Sequence, residues 1–207
     1  MSQFFQIHPD NPQPRLIKQA AAIVRKGGVI ALPTDSSYAL VCPLDDRDAV
    51  ERVRRIRGID DKHHLTLLCR DLGEISQYSR LDNWQYRLLK SATPGPYTFI
   101  LEATKEVPRR LSHPSRKTIG LRVPENEIAR ALLEELGQPL LSTTLIPAGE
   151  EDALTDAEEV RGRLEKLLDL VIDGGGASKR VTTVIDLTGD APVLLRQGKG
   201  DLSLFGL

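Results

Sequence analysis

The segment Gly28-Val29-Ile30-Ala31-Leu32-Pro33-Thr34-Asp35-Ser36-Ser37-Tyr38 joins an uninterrupted apolar run to a turn with four hydroxyl side chains and one carboxylate. The apolar half predicts a buried strand. In open α/β sheets, small polar ligands bind beyond the carboxyl ends of such strands. Proline followed by short polar residues is also ordinary turn chemistry. The segment therefore predicts a strand and a turn, and its functional interpretation is a polar binding site.

A run of basic residues follows in the next predicted helix. Arg52-Val53-Arg54-Arg55-Ile56-Arg57 carries four guanidinium groups within six residues, and Lys62-His63-His64 comes shortly after. An arginine run is often a solvated helix face. Because only a short link separates it from the hydroxyl-rich turn, we interpret the run as a candidate anion-binding element.

Hydrophobic periodicity predicts alternating helices and strands. The predicted helices cover residues 16–24, 48–56, 72–78, 84–90 and 128–136, and a sixth opens at a capping box of Thr155 and Glu158 and runs through Leu168. The predicted strands cover residues 29–32, 65–69, 97–101, 118–123, 139–144, 170–172, 183–187 and 193–195. Two stretches place strands next to each other without helices. This pattern predicts an α/β protein with a twisted, mixed β-sheet flanked by helices.

Composition narrows the class of protein. The 207 residues, 40% of them hydrophobic, fit one domain over residues 1–207 with a sizeable core. Lysine and arginine total 28 against 29 aspartate and glutamate, so net charge gives no reason for nonspecific capture of nucleic acid. We expect no membrane partner and a cytoplasmic location, because neither a spanning segment nor a signal peptide is evident. Cys42 and Cys69 are expected to be buried, reduced thiols.

Polar and basic residues recur at the ends of the predicted strands. They are Arg122, Ser142-Thr143-Thr144, Thr182-Thr183 and Arg196. Singly, each hydroxyl reads as a group that satisfies loose backbone atoms, but together they predict one polar site. The sequence has no phosphate-binding Gly-x-x-x-x-Gly-Lys loop, no zinc-ligand spacing and no Gly-x-Ser-x-Gly elbow, so we expect no structural metal.

Five motifs resemble the Sua5/YrdC/YciO family, in its order and approximate spacing. They are Pro33 to Leu40, Arg55-Ile56-Arg57, Ile119 to Pro124, Leu141 to Thr144 and Thr182 to Asp186. The resemblance covers almost the whole chain. It is greatest to the YciO branch, as judged by Gln6 to Pro12 and by Cys69-Arg70-Asp71-Leu72.

The resemblance implies a YrdC-like fold with a concave, positively charged face. It also implies synthesis of threonylcarbamoyl-adenylate from L-threonine, bicarbonate and ATP, with Mg²⁺ on the phosphates, for the threonylcarbamoyladenosine modification of tRNA. By position it implies nucleotide binding by Arg55, Arg57, Arg122, Ser142, Thr144 and Arg196. It implies threonine binding by Thr34, Tyr38, His63 and Thr182. No catalytic residue is assigned.

Three differences from the family pattern keep other functions open. The family's Tyr-Gly-Leu-Gly reads Tyr38-Ala39-Leu40-Val41 here. Arg55 stands where the family has a lysine, which keeps the charge but changes its shape. Thr144 replaces an asparagine and lacks its amide. One alternative is a protein that binds double-stranded RNA or the ribosome without synthase activity. The other is a protein that acts on preformed threonylcarbamoyl-AMP.

Overall fold

A ten-stranded mixed β-sheet organises the protein, whose computed structural model describes residues 1–207. The strands are β1 (Gln3–Gln6), β2 (Ile30–Leu32), β3 (Ala39–Pro43), β4 (Thr66–Leu68), β5 (Tyr97–Glu102), β6 (Thr118–Arg122), β7 (Leu140–Thr144), β8 (Leu170–Asp173), β9 (Thr183–Asp186) and β10 (Val193–Arg196). Their order across the sheet is β1-β8-β2-β3-β7-β4-β6-β5-β9-β10. The sheet contains parallel pairs, such as β4 with β6, and antiparallel pairs, such as β4 with β7.

Six helices pack on the sheet. They are α1 (Pro14–Arg25), α2 (Arg47–Arg57), α3 (Leu72–Tyr78), α4 (Asn83–Ala92), α5 (Glu127–Leu136) and α6 (Ala157–Leu164), and a short 3₁₀ helix covers Ser203–Phe205. Helix α2 begins where the Asp46 side chain accepts a hydrogen bond from the Ala49 amide at 2.9 Å. It ends at Gly58, whose φ of 64° is the left-handed conformation that glycine tolerates. None of these helices combines the length and hydrophobicity needed to cross a membrane.

The two faces of the sheet are covered unequally. One face packs against a cluster of 35 buried residues that includes members of α2, α3, α4 and α6. The other face packs against α1 and α5, in a cluster of 17 residues. That second cluster contains no residue of β5, β6 or β9. This part of the sheet therefore lies beyond the layer formed by α1 and α5.

The predicted mixed sheet flanked by helices is confirmed, and three local predictions are corrected. Strands β1 and β3 were not predicted. The predicted capping box at Thr155 is wrong, because the side chain of Asp156 caps α6 by accepting from the Glu159 amide at 2.9 Å. The same helix ends at Leu164, four residues before the predicted end.

Candidate functional site

Two adjoining pockets lie where the sheet lacks a helical cover. The first, which we call the hydroxyl pocket, has a volume of about 20 Å³. It is lined by Ser37, Tyr38, Ala39, Thr66, Thr98, Arg122, Ser142, Thr143, Thr144 and Thr182. The second, which we call the cationic pocket, has a volume of about 310 Å³. It is lined by Arg57, Lys62, His63, His64, Thr66, Thr98, Ile100, Thr143, Thr144, Ile146, Thr182, Val184 and Arg196.

Five threonines belong to both pockets and connect them: Thr66, Thr98, Thr143, Thr144 and Thr182. They come from four different strands or strand ends, so strand pairing brings them together. Thr66, for example, pairs with Ser142 on β7 and with Gly120 on β6. A hydroxyl can both donate and accept a hydrogen bond. The shared wall therefore suits a ligand with mixed donors and acceptors.

Gly120 leaves space beside the shared threonines because it has no side chain. An added Cβ would lie 2.7 Å from Thr66 Oγ1, 3.1 Å from the Leu65 carbonyl oxygen and 3.2 Å from Thr98 Cγ2. A larger side chain would therefore displace the threonines that both pockets share.

Arg122, which lines the hydroxyl pocket, forms a buried ion pair with Asp35. Arg122 Nη2 donates to Asp35 Oδ1, and the two side chains are 7% and 10% exposed. Burial lowers the pKa of the Arg122 guanidinium, and the Asp35 carboxylate opposes that shift. Arg122 Nε and Asp35 Oδ2 are both buried without a hydrogen-bond partner. The pair is thus close to neutral in charge but incompletely satisfied.

The cationic pocket carries positive groups and no carboxylate among its lining residues. Arg57 Nε donates to Thr143 Oγ1 at 3.3 Å, and its Nη1 donates to the Ile146 carbonyl at 3.0 Å. Arg196 Nη2 donates to the Thr182 carbonyl at 3.0 Å and to Thr182 Oγ1 at 3.1 Å. Both arginines are therefore held in place by neutral acceptors, which leaves their charge uncompensated.

The electrostatics of the cationic pocket agree with that geometry. Loss of water around the guanidinium and the nearby Arg196 charge lower the pKa of Arg57. The pKa of Arg196 is lowered by desolvation and by Arg122. Desolvation of the His63 ring, together with the Arg57 charge, lowers the pKa of His63. A pocket that disfavours additional positive charge is one that favours an anion.

The structure brings most of the predicted site residues together. Arg57, Arg122, Ser142, Thr144, Arg196, Tyr38, His63 and Thr182 all line one or both pockets. Thr34 does not line either pocket. It is buried, with its Oγ1 donating to the Ser37 carbonyl at 2.6 Å, so it shapes the turn.

Tyr38 lines the hydroxyl pocket but has a buried, bonded hydroxyl. Its side chain is fully buried in the large core cluster, and the hydroxyl donates to the Ile172 carbonyl at 2.9 Å. Burial raises the pKa of this phenol, so it stays protonated. Because the hydroxyl proton is used in this hydrogen bond, it is not available to a ligand.

Arg55 is placed outside the site, which corrects the expectation that it joins the other arginines. It is exposed and lines neither pocket. On a helix of 3.6 residues per turn, Arg55 points about 200° away from Arg57. Because Arg55 and Arg57 lie on opposite sides of α2, only Arg57 faces the cationic pocket.

Sequence reasoning missed three contributors to the site: Asp35 as the partner of Arg122, and the pocket-lining Thr66 and Thr98. Asp35 was noted only as part of a polar turn. A single threonine inside an apolar strand is an ordinary β-branched strand residue, so it carries no functional signal by itself.

Two other concavities lie apart from these pockets. The larger of the two, about 660 Å³, is lined by exposed acidic and basic residues around the start of α5, such as Arg70, Glu127 and Arg130, together with uncharged residues. A groove of about 440 Å³ is lined by Arg47, Glu51, Arg54, Asp61, Arg109, Arg110 and neighbours. No group of three or more His, Cys, Asp or Glu side chains is arranged to hold a metal ion.

Comparisons with known proteins agree with the fold and the motifs. A family model named for Sua5, YciO and YrdC, and described as telomere recombination, matches residues 22–198. YciO from Escherichia coli K12 is 60% identical over 205 residues, covering 99% of this chain and all of YciO. The crystal structure of Escherichia coli YciO, with the same identity and coverage of 99% and 100%, superposes with a TM-score of 0.96.

More distant relatives have named activities or ligands. A threonylcarbamoyl-AMP synthase from Halorhodospira halophila is 31% identical over 180 residues, covering 86% of this chain and 93% of that protein. The structure of P. abyssi Sua5 complexed with L-threonine has a TM-score of 0.90 at 27% identity. The match covers 98% of this chain but 59% of Sua5. The extent of the family match and the identity to these relatives show that the chain belongs to the Sua5/YciO/YrdC family.

Proposed function

We propose that this protein is a threonylcarbamoyl-adenylate synthase-like nucleotidyltransferase. Its substrates would be L-threonine, bicarbonate and ATP, and its product would serve the threonylcarbamoyladenosine modification of tRNA, which places it in the cytoplasm. The observation that carries the proposal is the junction of a hydroxyl pocket with a cationic pocket that has no carboxylate in its lining. The synthase and the threonine-bound Sua5 among its relatives support the choice of substrates.

The reaction has two steps, both of which conserve atoms and charge. In the first step, bicarbonate and a proton give carbon dioxide and water, and the neutral amine of threonine attacks that carbon dioxide to form a carbamate with release of a proton. A carbamate oxygen then attacks the α-phosphorus of ATP, and the bond to the bridging oxygen breaks as pyrophosphate leaves. No protein nucleophile is needed. Positioning of the reactants and stabilisation of phosphate charge supply the acceleration.

The cationic pocket provides the charge stabilisation in this proposal. Arg57 and Arg196 are fixed by the hydrogen bonds described above, so their charges are already in place when phosphates arrive. Mg²⁺ would accompany ATP, held by phosphate oxygens and water, because carboxylate ligands are missing from the lining of both pockets. Ser142 and Thr144 contribute hydroxyls beside the nucleotide.

The test is threonine-dependent release of pyrophosphate from ATP and bicarbonate. Arg57→Ala is expected to reduce the rate about tenfold to a hundredfold, because it removes a charged hydrogen-bond donor. Arg55→Ala is the matched control, since it removes the same side chain from the exposed side of α2. No pyrophosphate release from a protein that still binds ATP would refute the proposal. If the same protein instead consumes preformed threonylcarbamoyl-AMP, the alternative reaction on that adenylate takes its place.

Binding of double-stranded RNA is a second candidate, favoured by the groove beside α2. Four arginines, Arg47, Arg54, Arg109 and Arg110, line it against two carboxylates. Contact with a duplex backbone needs positive charge and few aromatic residues. Binding that weakens steeply with salt, and whose salt dependence falls in Arg109→Ala, would support it. Equal binding by that variant and the unmodified protein would contradict it.

A further inference from the structure

The two arginines of the cationic pocket donate hydrogen bonds to threonine hydroxyls in its wall. Arg57 Nε donates to Thr143 Oγ1 at 3.3 Å. Arg196 Nη2 donates to Thr182 Oγ1 at 3.1 Å, and that hydroxyl shares a further hydrogen bond of 2.9 Å with Thr98 Oγ1. A guanidinium group has no acceptor atom. The arginines therefore cannot take up the protons of the hydroxyls to which they donate.

Two hydroxyl protons of this wall have no acceptor within the protein. Thr143 Oγ1 makes no hydrogen bond other than the one from Arg57, so its own proton is unpaired. Thr98 and Thr182 have two hydroxyl protons and use one in their mutual hydrogen bond, which leaves the other unpaired whichever hydroxyl donates. All three threonines line the cationic pocket. Their hydroxyls therefore offer two hydrogen-bond donors to a bound molecule.

The same pocket offers little to accept a proton from a ligand. Its lining includes the cations Arg57, Lys62 and Arg196 and no carboxylate. Positive charge favours hydroxyl orientations in which the proton points away from the guanidinium groups and toward a ligand. An anion that carries a proton needs an acceptor for that proton, because an unpaired buried donor costs free energy. An anion without a proton needs only donors, and this wall supplies them.

We infer that the cationic pocket selects oxyanions that carry no proton, through the two free hydroxyl donors and the uncompensated arginines. The inference deepens the proposed function, on which it rests in taking this pocket as the phosphate site. The internal phosphates of a nucleoside triphosphate carry no proton near neutral pH, whereas a terminal phosphate, like a phosphomonoester, takes up a proton at a pKa of about 6. The pocket then receives the internal phosphates, and Thr143 is a specificity-determining residue.

The competing explanation is that His63 accepts the proton of a protonated anion. Its ring lines the same pocket, and a neutral imidazole has one acceptor nitrogen. A protonated phosphate would then bind as tightly as an anion without a proton. The two explanations therefore predict different relative affinities for a protonated and an unprotonated oxyanion of similar size.

The experiment measures the affinities of inorganic sulfate and inorganic phosphate by calorimetry at about pH 8. Both are then mainly tetrahedral dianions, but phosphate carries one proton and sulfate carries none. The unmodified protein is expected to bind sulfate at least about tenfold more tightly than phosphate, because the bound phosphate leaves its proton without an acceptor.

Three variants locate the preference in the threonine wall. Thr143→Val keeps the shape and removes one free donor, so sulfate is expected to bind about tenfold more weakly. Phosphate should lose less affinity, since its O–H group can then lie against the valine without facing a donor. Thr143→Ser restores the hydroxyl and should recover sulfate affinity to within about threefold. In the control Thr104→Val both affinities should stay within about twofold, because Thr104 lies outside both pockets and its hydroxyl donates to the Gln77 carbonyl at 2.8 Å.

The possible results separate this inference from the proposed function. Equal binding of sulfate and phosphate by the unmodified protein, binding of neither, or an unchanged preference in Thr143→Val overturns the inference. If Thr143→Val does not fold, the comparison of the two anions in the unmodified protein still decides the matter. A preference for sulfate in a protein that releases no pyrophosphate with threonine supports the inference and refutes the proposed reaction. Threonine-dependent release of pyrophosphate without that preference does the reverse.

Discussion

Replacement of Tyr38 by phenylalanine separates a structural role from a ligand-binding role at one position. Family resemblance assigns Tyr38 to threonine binding, whereas in the structure its hydroxyl donates to the Ile172 carbonyl at 2.9 Å and the side chain is fully buried. Phenylalanine keeps the ring and removes only this hydroxyl. We therefore expect Tyr38→Phe to lose stability and to keep its affinity for L-threonine.

The size of the stability loss follows from the hydrogen bond. A buried neutral hydrogen bond contributes about 1 kcal/mol net, and a carbonyl left without any partner costs up to about 3 kcal/mol. In a chain of 207 residues, 1 kcal/mol corresponds to a decrease in Tm of about 2–4 °C. The expected decrease for Tyr38→Phe is therefore about 2–12 °C. The change in threonine affinity is expected to stay below about twofold.

Two measurements on the same samples test this expectation. Urea unfolding followed by the fluorescence of Trp84, the single tryptophan, gives the free energy of unfolding. Calorimetric titration with L-threonine gives the affinity. Tyr97→Phe is the control, because its hydroxyl also donates to a backbone carbonyl, that of Asp201 at 2.9 Å, away from both pockets. A tenfold loss of threonine affinity with unchanged stability in Tyr38→Phe would refute the reasoning.

Three further expectations follow from the geometry. Gly120→Ala places a methyl group 2.7 Å from Thr66 Oγ1, so we expect a stability loss of about 1–3 kcal/mol in urea unfolding together with weaker ATP binding. Because the pKa of His63 is lower in the folded protein than its ordinary value of 6.5, the unfolded chain binds more protons below that pH. Stability should therefore fall as pH decreases below about 6.5, by a smaller amount in His63→Ala, in unfolding curves recorded from pH 5 to 8. Burial raises the pKa of both Cys42 and Cys69, so neither thiol should react with a thiol reagent until the protein is unfolded in denaturant.

The fold was largely predictable from hydrophobic periodicity, and the exceptions have local causes. Strand β3 (Ala39–Pro43) follows a serine-rich turn and ends in proline, so its five residues resemble a loop. It is fixed by antiparallel partners on both sides, β2 and β7, which lie at different separations along the chain. Strand β1 (Gln3–Gln6) has polar ends and forms only by parallel pairing with β8. Because these pairings join residues far apart in the sequence, no local sequence pattern predicts the two strands.

The site was predictable where several signals coincided and unpredictable where geometry alone decides. Hydroxyls and arginines at strand ends pointed to Arg122, Thr182 and Arg196, which do meet around the two pockets. The arginine run could not say which of its members faces the site, because that depends on the rotation of α2. Asp35 could not be paired with Arg122 from sequence, since 87 residues separate them.

The incomplete helical layer explains why the site lies where it does. Strands β5, β6 and β9 contribute no residue to the core formed with α1 and α5, and in this region the sheet presents Thr98, Gly120 and Arg122. Because the side chains on this part of the sheet are small and polar, it lacks the apolar contacts that packing of a third helix would provide. These side chains can instead form hydrogen bonds with a polar ligand. Enlarging this surface should therefore impair binding more than it improves packing.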